Sequence, residues 1–121
     1  IKAVEVLGAD LAYIGTPFVA AKESLAPDAY KQMLITSTHE DLVTTAAVTG
    51  VKANWLKGSL QAVGIDPDKA NLDTPNFGDP TAAFKRWKDT WSAGQSVDLV
   101  QRIEPAADIV ARFVREYEAV R

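Results

Sequence analysis

The sequence predicts an α/β fold, because helix-like and strand-like segments alternate in its first part with short connections between them. Residues 1–7 read as the end of a helix, and residues 11–14 form a short apolar run that suits a strand buried on both faces. A second helix-like stripe covers residues 24–37. This α–β–α order is typical of a parallel α/β architecture, although one strand does not distinguish a barrel from an open sheet.

The first two elements have clear ends. Gly8 stands where the opening helix should stop, since glycine accepts the positive φ that is common just past a helix C-terminus. Gly15 and Pro17 end the short strand in the same way. Because Ile1 already lies within the helical pattern, we expect the chain to be a fragment of a longer polypeptide.

The middle of the chain, residues 24–91, is expected to be mostly helical. Residues 40–49 are ambiguous, because their first part continues a helical pattern whereas their second part is rich in β-branched residues. Residues 53–63 carry apolar side chains at helical spacing and are followed by Gly64, which predicts a helix and its stop. A further short helix is expected over residues 81–91.

Two features organise the rest of the chain, which we treat as one unit over residues 1–121. Residues 66–80 contain three prolines among Asp and Asn, a composition that predicts a surface loop. From Pro105 to about residue 120, apolar residues form one continuous helical stripe. This pattern predicts a surface helix docked on a core.

Composition excludes several classes of function. The chain has 121 residues, 47% of them hydrophobic and 24% charged, as in ordinary globular proteins. A formal net charge of −3 argues against nucleic acid and anionic membranes as partners. No apolar stretch approaches the roughly 20 residues that span a bilayer, so we expect a soluble, cytoplasmic protein. With no Cys and one His, the chain cannot build a thiolate or histidine metal cluster by itself.

The end of the predicted strand is the best candidate for a binding site, because ligands of α/β folds bind where strands end. Gly15 lets a phosphate approach the backbone closely. The backbone N–H groups of Gly15 and Thr16, with the Thr16 hydroxyl, offer an uncharged cradle for an anion. On these residues alone a plain turn is the favoured interpretation, because Gly and Thr are ordinary residues at strand ends.

The segment "LGADLAYIGTPFVAAKES" resembles the last barrel strand and following loop of the nitronate monooxygenases, also called 2-nitropropane dioxygenases. The segments "AYKQML", "TAAVTGVKANWLKGSL", "VGIDPD" and "WKDTWSAGQ" and the closing helix follow in the order of that family. The resemblance implies the C-terminal part of an FMN-dependent (β/α)₈ barrel, locally mostly helical with one or two short strands. It also implies that Tyr13, Ile14, Gly15 and Thr16 contact the flavin and its phosphate.

The resemblance further implies an activity: oxidation of an alkyl nitronate with dioxygen to a carbonyl compound and nitrite. The family's catalytic base is a histidine on an earlier part of the barrel, so we expect no catalytic residue in this chain and no activity from it alone. The expected partners are the nitronate, dioxygen and the remainder of the barrel, and a homo-oligomer is left open.

A second loop extends the candidate site. Ser92, Gly94 and Gln95 match a family loop near the mouth of the active site, where Gln95 could hydrogen-bond flavin or substrate. The sequence departs from the family where Ser96 and Asp98 replace glycines, which puts a close backbone approach after Gln95 in doubt. A structural loop capping the barrel is an equally good interpretation.

Other polar residues favour structural roles. His39 lies between two helix-like segments and is interpreted as a solvated or capping histidine. Glu40 and Asp41 are interpreted as acids of a first helical turn. The three Trp residues lie at helical spacing and are expected to be core: Trp55, Trp87 and Trp91.

Two alternative functions remain open on the sequence. Related barrels reduce quinones or enoyl thioesters with NAD(P)H, and their flavin-binding segments are similar. A rival from another class is a non-catalytic helical module that binds a partner through its apolar stripe. Such a module would bind no flavin, whereas a barrel fragment leaves sheet edges and apolar surface uncovered.

Overall fold

The structure, a computed structural model, describes residues 1–68 and 86–120 of the chain. It divides the chain into two compact units, which are described separately below. The first unit combines Ile1–Ile35 with Leu99–Arg121, and the second is the intervening segment Thr36–Asp98. This division was not predicted, because no linker-like composition marks either boundary.

The first unit is helical. Its helices are α1 (Lys2–Val6), α2 (Thr16–Val19), α3 (Asp28–Thr36) and α6 (Ala106–Ala119). The helices are numbered in chain order over the whole protein, so α4 and α5 belong to the second unit. Gly8 has φ 94°, which confirms that α1 stops at a glycine in the left-handed region. Helix α3 begins four residues later than predicted, at Asp28, and the closing helix α6 agrees with the prediction.

The predicted strand over residues 11–14 is wrong as an element, since these residues have no regular secondary structure. The side chains of Leu11 and Tyr13 are 90% and 102% exposed. A strand exists only through hydrogen bonds to a neighbouring strand, and the described part of the first unit contains none. The apolar run therefore has the sequence of a buried strand but not the pairing.

Segment 20–26, between α2 and α3, is fixed by a buried lysine. Lys31 is only 5% exposed, and its ammonium group donates to the carbonyl oxygens of Lys22 at 3.3 Å and Ser24 at 2.8 Å. Ala20 and Ala21 are buried at the start of the same segment. Since a buried ammonium is costly without partners, these carbonyls determine where the segment can run.

A carboxylate cluster fixes the start of α6. The side chain of Glu104, 10% exposed, accepts from Arg102 Nε at 2.8 Å and from an Arg112 guanidinium nitrogen at 3.0 Å. Its backbone oxygen accepts from the N–H of Lys22 at 3.1 Å. The Glu23 carboxylate accepts from the N–H of Ala106 at 3.0 Å, at the N-terminus of α6. The two sequence-distant parts of this unit are thereby joined.

The second unit contains an antiparallel pair of strands, β1 (Leu42–Thr45) and β2 (Ala53–Leu56), with Val43 opposite Trp55. A 3₁₀ turn, His39–Asp41, precedes β1, so the ambiguous segment resolves into a turn and a strand. The remaining helical elements are α4 (Lys57–Ala62), α5 (Arg86–Asp89) and the 3₁₀ turn Val97–Leu99.

The helix predicted over residues 53–63 is wrong in its first four residues, which form β2. Trp55 and Leu60 are buried together with Val48, so the same apolar residues serve a strand and then a helix. Trp55 is core, as predicted, whereas Trp91 is only partly buried. Of the helix predicted over residues 81–91, the structure has Arg86–Asp89, whereas most of the predicted proline-rich loop and residues 81–85 lie outside the described residues.

Replacing Glu104 by Gln should destabilise the protein, because Arg102 and the largely buried Arg112 lose their shared carboxylate. We expect a loss on the order of 1 kcal/mol in the free energy of unfolding, measured by urea denaturation at pH 7. The matched control is Glu116→Gln, since Glu116 is 62% exposed and lies 3.5 Å from the same Arg112. Equal effects of the two variants would contradict the cluster's role.

This contribution should depend on pH. Hydrogen bonding from Arg102 lowers the pKa of Glu104, against the opposing effect of burial and with further help from Arg112. The stabilisation is therefore complete above the ordinary carboxyl pKa of about 4.3 and is lost as the pH falls through the lower folded-state value. Below that value, Glu104→Gln should be as stable as the wild type.

Candidate functional site

The predicted flavin segment, Tyr13 to Thr16, lies at the entry to helix α2. Gly15 is the N-cap of α2, and its carbonyl oxygen accepts from the N–H groups of Phe18 at 2.9 Å and Val19 at 3.2 Å. Thr16 is the first helical residue and Pro17 follows it, a position where proline is well tolerated. Helix α2 therefore begins at Gly15, after a segment without regular secondary structure.

Glycine at position 15 is not required by the fold of the described residues. Its φ of −119° and ψ of −49° suit any residue. A Cβ atom built on Gly15 meets nothing within 4 Å. The Gly15 amide donates no hydrogen bond within residues 1–68 and 86–120. The position thus combines open space with an available N–H donor, as close approach of a ligand to the backbone would need.

Next to this turn runs an open apolar groove of about 470 Å³. Ile14 and Phe18 line one part of it, and Phe18 packs edge-on against Phe113 of α6 with ring centroids 6.3 Å apart. The further apolar lining residues are Ile1, Ala12, Val110, Val114 and Tyr117. The predicted apolar stripe of α6 is therefore only partly covered: Ile109 is buried, whereas the lining residue Val114 is 49% exposed.

The loop with Ser92, Gly94 and Gln95 belongs to the second unit, and all three residues are exposed. Ser92 forms an isolated antiparallel bridge with Trp55 of β2. The carbonyl oxygen of Gly94 accepts from the N–H of Val97 at 3.1 Å, which closes the loop into the following 3₁₀ turn. The two predicted sets of site residues thus lie in separate units of the chain.

Asp98, which the sequence analysis noted only as a departure from a glycine, has a definite contact. Its carboxylate accepts from the backbone N–H of His39 at 3.1 Å and lies 3.3 Å from the ring Nδ1 of the same residue. Partial desolvation raises the pKa of Asp98, but the hydrogen bonds from the His39 backbone and ring outweigh it and lower the pKa. Sequence reasoning missed this pair.

His39 has the structural role that the sequence predicted, since its ring is 68% exposed and faces Asp98. Asp41 also acts as predicted. Its carboxylate accepts from the N–H of Thr38 at 2.8 Å and completes a capping box around the 3₁₀ turn. These residues stabilise a turn and form no acid–base pair.

The described ranges, 1–68 and 86–120, lack two other kinds of feature. No cluster of three or more His, Cys, Asp or Glu residues there is arranged to hold a metal ion. No helix there is long and apolar enough to cross a membrane. The backbone turn at Gly15 with its apolar groove is accordingly the strongest candidate site.

Solved structures define the class of fold. The chain superposes on FabK from Thermotoga maritima with a TM-score of 0.66 and 22% identity, covering 97% of this chain and 40% of that one. A mutant of the same FabK gives a TM-score of 0.65 and 25% identity, with 97% and 36% covered. The chain has the α/β fold of part of a (β/α)₈ barrel, as the resemblance implied.

Sequence comparison then defines the family. The sequence model of the nitronate monooxygenase family matches residues 1–116, and the chain belongs to that family. A nitronate monooxygenase of Paraburkholderia phytofirmans (strain DSM 17436 / LMG 22146 / PsJN) is 31% identical over 125 aligned residues, 96% of this chain. The chain spans 34% of that relative's length.

Gly15→Ala should leave the free energy of unfolding within about 0.5 kcal/mol of the wild type. The added Cβ has open space. Replacing glycine also lowers the conformational entropy of the unfolded chain, and this stabilisation offsets the poorer N-cap. The control is Gly8→Ala, where φ is 94° and a side chain costs about 1 kcal/mol. Thermal unfolding of both variants checks this. A loss at Gly15 as large as that at Gly8 would mean that the fold itself needs this glycine.

Proposed function

We propose that this chain is the C-terminal portion of an FMN-dependent barrel oxidoreductase that oxidises alkyl nitronates with dioxygen, giving a carbonyl compound and nitrite. The observation that carries the proposal is the family match over residues 1–116, which includes both predicted binding segments. The chain spans about a third of its curated relative, 34%, so the activity is assigned to the complete polypeptide and not to this segment alone.

The turn at Gly15 fits the phosphate end of FMN. The open space at the Gly15 Cβ position admits a phosphate oxygen close to the backbone. The Gly15 amide and the Thr16 hydroxyl are uncharged donors of the kind that hold such an anion at a turn. We assign Tyr13, Ile14, Gly15 and Thr16 to the cofactor.

We propose other roles for Ile14, Phe18 and Gln95. Ile14 and Phe18 line the apolar groove and would exclude water beside the bound cofactor. For the exposed carboxamide of Gln95 we propose a separate role as donor and acceptor to the substrate, as the family resemblance implied. The chemistry that FMN supplies when bound is transfer of electrons from the nitronate to dioxygen. We assign no proton-transfer residue to this chain.

A second candidate function is reduction of a quinone or an enoyl thioester by NAD(P)H on the same kind of barrel. The observation that favours it is that two of the similar solved structures are FabK structures, with TM-scores of 0.65 and 0.66. Nothing in the segment from Tyr13 to Thr16 separates the two reactions, since both need the same hold on a flavin phosphate.

The substrate can be decided on the complete polypeptide that contains this chain. We expect it to consume dioxygen and release nitrite when given the nitronates of simple nitroalkanes. NAD(P)H oxidation that depends on a quinone or an enoyl thioester, without nitrite formation from nitronates, would instead establish the second candidate. Absorbance at 340 nm and a colorimetric nitrite assay separate the two reactions on one preparation.

The flavin assignment is tested with a pair of substitutions at Thr16. Thr16→Val removes the hydroxyl at nearly constant volume and should raise the Kd for FMN about tenfold, as loss of one charge-assisted hydrogen bond predicts. Thr16→Ser keeps the hydroxyl and should bind within about twofold of the wild type. Fluorescence titration of the apoprotein measures both values. A complete polypeptide that binds no FMN would favour a non-catalytic interaction module.

A further inference from the structure

The loop of residues 92–97 in the second unit is anchored at both ends by hydrogen bonds, although its middle is exposed. Gly94, Gln95 and Ser96 are exposed, whereas the flanking Ala93 and Val97 are buried. Loops with exposed tips are usually the mobile parts of a fold. In this loop, the contacts at the two ends hold the exposed tip in place.

The entry to the loop is joined to strand β2 and helix α4. The carbonyl oxygen of Trp91 accepts from the N–H of Leu56 at 2.8 Å. The N–H of Trp91 donates to the Oγ of Ser59 at 3.0 Å, and the Ser59 hydroxyl donates to the carbonyl oxygen of Leu56 at 2.8 Å. Ser59 is only 1% exposed, so this bridge is protected from water. Both backbone polar groups of Trp91 are thus used for anchoring.

The exit from the loop is joined to the turn before β1. The Asp98 carboxylate accepts from the backbone N–H of His39 at 3.1 Å and faces the His39 ring Nδ1 at 3.3 Å. The turn that carries His39 is itself braced, because Asp41 caps it through Thr38 and the ammonium group of Lys57 donates to the Glu40 carbonyl at 2.6 Å. The Asp98 anchor therefore rests on an ordered element.

The Asp98 anchor is not part of the core. Its side chain is 39% exposed and that of His39 is 68% exposed. Exposed pairs of this kind add little to global stability. The main effect of this pair is therefore local. It fixes the position of Asp98, which follows Gln95, Ser96 and Val97 in the chain.

We propose that Asp98 and Ser59 are positioning residues that hold Gln95 for a hydrogen bond to the substrate. The inference rests on the function proposed above, and it deepens that function by naming how this chain orders its substrate-side loop. Neither residue touches the reacting atoms in this assignment, and both act through the loop.

The test uses the complete, flavin-loaded polypeptide and the variants Asp98→Ala, Gln95→Ala and their combination. Asp98→Ala should raise the KM for the nitronate about three- to tenfold with kcat within about twofold, as loss of one substrate hydrogen bond predicts. If Asp98 acts through Gln95, the double variant should be no worse than Gln95→Ala alone. Asp98→Asn keeps an acceptor oxygen for the His39 N–H and should recover most of the loss.

Two controls separate positioning from general damage. Asp68→Ala removes an exposed carboxylate from the same unit and should leave KM unchanged. Hydrogen exchange by mass spectrometry, without substrate, should show faster exchange in residues 92–98 of Asp98→Ala and of Ser59→Ala, with β1 of the Asp98→Ala protein unchanged.

Independent effects of Asp98→Ala and Gln95→Ala, or unchanged exchange in the loop, would overturn the inference while leaving the proposed function intact. A wild-type protein that binds FMN but releases no nitrite from any nitronate would overturn the proposed function, and this inference with it. The two failures are distinct, because the first is seen in the variants and the second in the wild type.

Discussion

The buried ammonium group of Lys31 is the constraint on which the first unit depends. It cannot be left without partners, and it finds them in the carbonyl oxygens of Lys22 and Ser24. Fixing those carbonyls turns the N–H of Lys22 toward Glu104, whose backbone oxygen accepts it. One side chain on α3 thus orders the segment after α2, and that segment in turn receives the chain that leads into α6. Gly15, at the start of α2, takes no part in these contacts.

The second unit is built on a comparable but neutral bridge. The Ser59 hydroxyl bonds both to Leu56 at the end of β2 and to Trp91, which is 32 residues away in the sequence. Since the hydroxyl is buried, loss of either partner would leave an unsatisfied polar group, which costs more than the bond itself contributes. This asymmetry explains how a two-stranded sheet, which is only marginally stable by itself, can fix the position of a loop that is distant in the sequence.

Sequence periodicity predicted the elements that are determined locally. The stop of α1 at Gly8, helix α3 and the stripe of α6 all follow from residues within one or two turns of each other. Pairing that spans the chain was beyond it. Residues 53–56 have helical spacing when read with Leu60, but their backbones pair with β1, so tertiary context overrode the local pattern.

The candidate site divides in the same way. Gly15 was proposed as a site residue because a glycine at the end of an apolar run is visible in the sequence, and the resemblance implied a flavin phosphate as its ligand, which stays a prediction. The contact between His39 and Asp98 joins residues 59 positions apart, and no local pattern announces it. In the sequence, Asp98 was visible only as a departure from the family pattern. Its contact with His39 can be recognised only once the position of His39 is known.

The exposed segment 11–14 is the strongest physical argument that the first unit works in a larger assembly. Leu11 and Tyr13 are almost fully exposed, and they continue into an apolar groove lined by Ile14, Phe18 and α6. Exposed apolar surface of this kind marks sites of association, and residues 11–14 pair with no neighbouring strand among the described residues. A closed barrel satisfies both demands at once, because neighbouring strands pair the backbone and bury the side chains. The prediction of a buried strand over these residues therefore failed on its pairing and not on its composition, as a strand of the proposed barrel would when viewed without its neighbours.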